Sequence, residues 1–165
     1  MPLAPTLDAA YRRTLYRVDD PTGGFALRIG ELHPELDARL AAAGRRSWAW
    51  LTAVNPGSRR LADAENLRRL DDLERRILAA GLSPIPGRAV ARPAGSFPDE
   101  PSFLVLGASR RQASGWGRAF EQAAILAGRR GGRVELVELG GRDSGRAEGR
   151  NEKAGSPQVR RTGEP

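Results

Sequence analysis

The chain has 165 residues, 39% of them apolar and 28% charged, with a formal charge of +7 and no cysteine. That length suits one domain with a real core, and the missing cysteines exclude disulfides, thiolate nucleophiles and cysteine-based zinc sites. No apolar run reaches the length of a membrane span, and the start "MPLAPTLDAAYRR" has no signal-peptide core, so a soluble cytoplasmic protein is the expectation.

In chain order, "FALRIG" (Phe25 to Gly30) reads as a strand. His33 then caps a helix with Pro34 at its first position, Leu36 and Leu40 on its inner face and Gly44 at its end. "SWAWLTAV" (Ser47 to Val54) is apolar on both faces and predicts a central strand. In the Asn-Pro-Gly-Ser turn that follows, Pro56 holds Asn55 extended and Gly57 frees the bend. Asp63 caps the next helix, whose Leu67, Leu70, Leu73, Ile77 and Leu78 make one stripe before Gly81 stops it.

"LSPIPGRAV" is a weaker strand that its two prolines push to an edge. A Pro-rich loop, Ala91 to Pro101, leads to the buried strand "SFLVLG". Ser109 and Gln112 form a capping box that opens a helix through Ala113, Trp116 and Phe120. Gly115 and Gly117 weaken that helix by about 1 kcal/mol each relative to alanine, so close packing is the expected reason for them. "AAIL", the turn "AGRRGG" and "RVELVEL" predict a hairpin. Residues 1–139 thus read as one globular domain, and 140–165, rich in Gly, Arg and Glu, as a disordered tail.

From Ser47 onward the order strand, helix, strand, strand, helix, hairpin predicts an α+β fold. The sheet is mixed and largely antiparallel with helices packed on it, a ferredoxin-like core with an N-terminal strand-helix addition. A three-layer α/β sandwich is the alternative, allowed by the two apolar strands.

The polar residues at strand ends suggest a site. Asn55 ends a buried strand, where open sheets bind ligands. Helical spacing puts Asn66 on the apolar stripe, where an amide needs a partner. The rival reading is that Asn55 and Asn66 bond the loop backbone and fix its shape. Glu100, in a loop against apolar neighbours, is the candidate general acid or base, and Gln122 a neutral hydrogen-bonding group. The start of the helix after Ser109, with Arg110 and Arg111, has anion-binding character. His33 is the single histidine, so a metal would rest on carboxylates and Mg²⁺ would be the plausible ion. No metal site is expected.

"Y-x-x-T-x-Y" at Tyr11, Thr14 and Tyr16, "FALRIG", "TAVNPGS", "DAEN", "PGR", "EPSFLVLG" and "F-x-Q-x-A" at Phe120, Gln122 and Ala124 resemble a bacterial family, domain of unknown function 3293. The likeness runs from about Ala10 to Leu139. Val54 and Ala123 depart from the family's T-A-W-N-P and Q-N-A. The resemblance implies no reaction, but it implies that Asn55, Ser58, Glu65, Asn66, Glu100 and Gln122 belong to one shared feature, and Arg88 lies in its P-G-R motif.

The positive charge invites a nucleic-acid reading, yet Lys153 is the one lysine among 27 basic residues. That ratio fits a GC-rich coding sequence, and arginines such as Arg69, Arg75 and Arg76 stand four residues after acids. A solvated basic surface is favoured over a nucleic-acid face. The leading expectation is a domain that binds an anionic small molecule or nucleotide in a polar pocket at strand ends. The alternatives are an enzyme using Glu100 as general acid or base, with or without Mg²⁺, and a basic nucleic-acid-binding or protein-interaction domain.

Overall fold

The structure, a computed structural model, describes residues 2–140; the expected tail lies outside the described residues except for Gly140. Four helices and a seven-stranded, wholly antiparallel sheet make a mixed α+β fold. The elements run α1 (Pro5–Arg13), β1 (Leu15–Val18), β2 (Phe25–Leu27), α2 (Pro34–Ala42), β3 (Ser47–Leu51), α3 (Asp63–Ala79), β4 (Pro84–Val90), β5 (Glu100–Leu106), α4 (Arg110–Ala119), β6 (Ala124–Arg129) and β7 (Glu135–Glu138). A short 3-10 turn, Pro56–Ser58, sits between β3 and α3. The sheet order is β2-β1-β4-β5-β3-β6-β7, so β3, α3, β4, β5, α4 and β6 supply four neighbouring strands and β1, β2 and β7 extend them on both sides.

Alternation along the central strands builds two cores. Ala49, Leu51, Phe103, Val105, Ile125 and Ala127 face α3 and α4, meeting Leu73, Ile77, Ala113 and Phe120. Trp48, Trp50, Leu104 and Leu126 face the other way and meet Leu36 and Leu40 of α2 together with Tyr16, Val18 and Leu27. Both faces of β3 and β5 are therefore buried, which is why these strands carry no polar alternation. Gly117 serves the first core: a Cβ there would meet Leu139 Cδ1 at 2.4 Å and Ile125 Cγ2 at 2.9 Å. Gly115 has no such reason, since nothing lies within 4 Å of its would-be Cβ.

Several local expectations are corrected. α1 and β1 were not foreseen; β1 is four residues long and leads into a turn, where Asp20 Oδ1 accepts the Thr22 N–H at 2.8 Å. β4 is no edge strand, for it lies between β1 and β5. The Pro86 carbonyl accepts the Asp19 N–H at 2.8 Å, so the nitrogens of Pro84 and Pro86 face the β1 side just beyond that strand's end, where no donor is needed. His33 occupies the cap position of α2, but its ring accepts the Arg28 N–H at 3.0 Å instead of capping. Ala62, not Asp63, is the cap of α3. Leu67 and Leu78 are 59% and 54% exposed, leaving Leu73 and Ile77 as the buried part of that stripe. No helix among the described residues is long and apolar enough to cross a membrane.

Candidate functional site

After Leu51 the chain leaves the sheet and is caught at once. Thr52 Oγ1 donates to the Pro101 carbonyl at 2.6 Å and accepts the Val54 N–H at 3.2 Å. Asn55 then adopts the left-handed conformation, φ 49° and ψ 61°, where Pro56 had led us to expect extended backbone. Asparagine tolerates that region better than other residues with a side chain, and here its own N–H donates to Asn66 Oδ1 at 2.9 Å. Ser58 has positive φ as well, at 61°, a conformation that costs of order 1 kcal/mol for a residue other than glycine.

The Asn55 side chain joins three segments. Its Oδ1 accepts the Leu61 N–H at 3.1 Å and Asn66 Nδ2 at 2.9 Å, and its Nδ2 donates to Glu100 Oε1 at 2.9 Å. The loop is held equally from the α4 end. Gln122 Nε2, buried, donates to the Val54 carbonyl at 3.0 Å. Arg69 donates to the Ala53 carbonyl at 2.7 Å and the Phe120 carbonyl at 2.6 Å, and the Gly57 N–H donates to the Glu121 carbonyl at 2.9 Å. Asn55, Asn66 and Glu100 thus form one network, and Gln122 grips the neighbouring residue. Much of their bonding capacity goes to backbone and to one another.

Glu100 opens β5 opposite Ala89, and Ala89 stands opposite Tyr16. Residues directly paired across strands share a face, so the acid and Tyr16 lie on the same side. Burial pushes the Glu100 carboxyl above its ordinary range, against the hydrogen bond from Asn55. Tyr11 of α1 is pushed up to about 12, first by burial and then by the charge of Glu100. Tyr16 rises too, chiefly through burial and next through Tyr11, with a bond to Thr14 acting against and Glu100 adding; its hydroxyl donates to the Tyr11 carbonyl at 3.0 Å. A carboxyl of raised pKa with one oxygen held by an amide can take and return a proton at mild pH.

Tyr11 was missed as a site residue. Its single sequence signal was a place in the Tyr11–Tyr16 motif, because no local rule links a helix to a strand almost ninety residues later.

The remaining candidates are scattered. Ser58 is exposed in the loop, and Glu65 is exposed in the first turn of α3. Arg88 points to the sheet face opposite Glu100 and pairs with Asp19 at 3.2 Å. Ser109 caps α4 by accepting the Gln112 N–H at 3.1 Å, and Arg110 pairs with Glu135 at 2.8 Å. Arg111 lines an open groove with Ser109, Gln112, Gly115 and Trp116. A second groove follows the β1–β2 hairpin past Arg17, Asp19 and Phe25. Neither groove touches the Asn55 network. Among the described residues, no three His, Asp or Glu side chains gather as metal ligands.

Residues 51–125 match the model of a family described as "Protein of unknown function (DUF3293)". Over that segment the chain is similar to the family. The matched segment runs from the end of β3 to the start of β6 and holds Asn55, Asn66, Glu100 and Gln122, whereas Tyr11 and Tyr16 lie before it. No curated protein and no solved structure gives a significant match.

Proposed function

We propose that the chain binds an anionic small molecule, a nucleotide or a phosphorylated metabolite, at the β3–α3 loop. In this reading the ligand meets Ser58, Arg59 and Arg60, which are exposed in the loop, and Glu100 and Tyr11, which are half-buried. The observation that carries the reading is the loop itself: strained at Asn55 and Ser58, yet pinned by α3, β5 and the α4–β6 connection. Strain held this firmly is a feature of ligand clamps and active sites, and the arginines supply forked donors for phosphate. The cysteine-free composition suits a cytoplasmic setting. A thermal-shift screen with nucleotides and phosphorylated metabolites tests the reading. At least one member should raise Tm in the wild type and not in Arg59→Ala/Arg60→Ala; no shift from any member refutes it.

The raised pKa of Glu100 beside Tyr11 supports a second reading, an enzyme in which Glu100 is the acid or base. An activity found with the bound class of ligand should then fall by two to four orders of magnitude in Glu100→Gln, roughly what a positioned acid or base contributes. Unchanged turnover removes that role.

A further inference from the structure

The opposite end of the sheet carries different chemistry. β5 has seven residues, so its far end stands about 20 Å from Glu100. There the start of β3, the end of β6 and the start of α4 come together, and each brings two arginines. The contacts fix their grouping. The Arg130 N–H donates to the Arg46 carbonyl at 2.9 Å, and Arg129 is the register partner of Ser47. The Gly107 N–H donates to the Ser47 carbonyl at 2.7 Å. The Arg45 side chain lies over Gly107, where a Cβ would meet its Cδ at 2.9 Å.

Arg45, Arg46, Arg111, Arg129 and Arg130 are all exposed. Among the described residues none of them has a carboxylate partner. The acids that contacts bring to this end are Glu135, which pairs with Arg110, Asp37, whose carboxylate accepts the Gly131 N–H at 2.8 Å, and Glu31. Coding bias can explain how many arginines the chain has. It does not explain five gathered at one end without counter-ions, where their mutual repulsion opposes folding.

The groove beside Arg111 adds an aromatic. Trp48 and Trp50 are core residues, 2% and 3% exposed, but Trp116 is only partly buried and lines that groove. Gly115, which lines the same groove, has no atom within 4 Å of its would-be Cβ and adds no side chain there.

We infer that this end of the molecule binds single-stranded nucleic acid. The arginines fork onto phosphates, and Trp116 offers its face to a base. Unpaired bases stack on an indole without regard to sequence, and a duplex or an acidic peptide presents no such base.

Fluorescence anisotropy of a labelled single strand of about 16 nucleotides, titrated with the full chain, tests this together with tryptophan emission. Five phosphate contacts predict a slope of log K against log salt of about −3.5. In Arg111→Ala/Arg130→Ala the slope should flatten by about 1.4 and affinity at moderate salt should fall roughly tenfold. Arg68→Ala/Arg75→Ala, which removes the same charge from exposed positions of α3, should change affinity by no more than about twofold. Binding should quench emission, and Trp116→Phe should abolish the quenching. The inference is overturned if the strand does not bind, if the α3 double variant weakens binding as much, or if polyglutamate of equal charge competes equally well. Quenching that persists in Trp116→Phe also overturns it. None of these outcomes bears on the small-molecule site at the other end.

Discussion

Replacing Asn55 by alanine tests whether the β3–α3 loop is held as the structure describes. The substitution removes three side-chain hydrogen bonds, those with Leu61 N–H, Asn66 Nδ2 and Glu100 Oε1. At about 1 kcal/mol each the loss is about 3 kcal/mol, reduced where water reaches the half-buried partners. Alanine must also occupy φ 49°, ψ 61°, which adds about 1 kcal/mol. Asn55→Ala should therefore lose about 3–4 kcal/mol in urea denaturation, with Tm lower by roughly 10 °C. Asn55→Gly loses the same bonds but not the conformational penalty, so it should be about 1 kcal/mol more stable than Asn55→Ala. The order of the two variants matters more than either value. If Asn55→Ala stays within about 1 kcal/mol of wild type, or Asn55→Gly is the less stable of the pair, the account of this loop is wrong.

The two glycines of α4 should respond oppositely to alanine: Gly117→Ala should destabilise by about 1–3 kcal/mol through its clash with Leu139 and Ile125, while Gly115→Ala should stabilise by about 1 kcal/mol, both read from urea midpoints. Glu100 has a folded pKa above its ordinary 4.5, so its neutral form is favoured by folding; its contribution is complete below that value and is lost as pH rises through the folded pKa. Wild type should accordingly lose stability relative to Glu100→Gln as pH is raised from 4.5 toward neutrality, and parallel curves for the two proteins would contradict the burial of the acid. The chain has two tyrosines, both raised above 10, so absorbance at 295 nm should show almost no tyrosinate in the native protein at pH 10, and the Tyr11 titration near 12 should move down in Glu100→Gln.

What could be read from the sequence was whatever local chemistry decides. Pro34 and Ser109 sit where helices begin, and Gly81 takes positive φ just past the end of α3. The apolar runs around Trp50 and Leu104 are central strands because nothing on either face needs water. The failures share one cause, which is that pairing partners are non-local. The prolines of β4 argued for an edge, and they are accommodated because β1 stops short of them, a fact fixed by a strand almost seventy residues earlier. Asn55 was expected to be extended from its neighbour Pro56, but the side-chain Oδ1 of Asn66 and the loop's other anchors decide its conformation. The convergence of Asn55, Asn66 and Glu100 was legible as three amide or acid residues at element ends. The part of Tyr11 was not, since α1 reaches the acid only across the assembled sheet.

The way this loop is built bears on why we propose the ligand site here and not at either groove. A turn that only reverses the chain needs two central residues of suitable conformation. This one draws on Asn66, Arg69, Glu100 and Gln122 from three separate segments and still leaves Asn55 and Ser58 strained. Glu100 adds a further cost, for burying an acid lowers stability at neutral pH, and a well-packed apolar residue of similar volume would hold the strand end at least as well. Stability alone would favour a simpler turn with no buried carboxyl. That so much side-chain bonding holds strained backbone beside a buried carboxyl is what favours the proposed site, whose exposed residues are Ser58, Arg59 and Arg60.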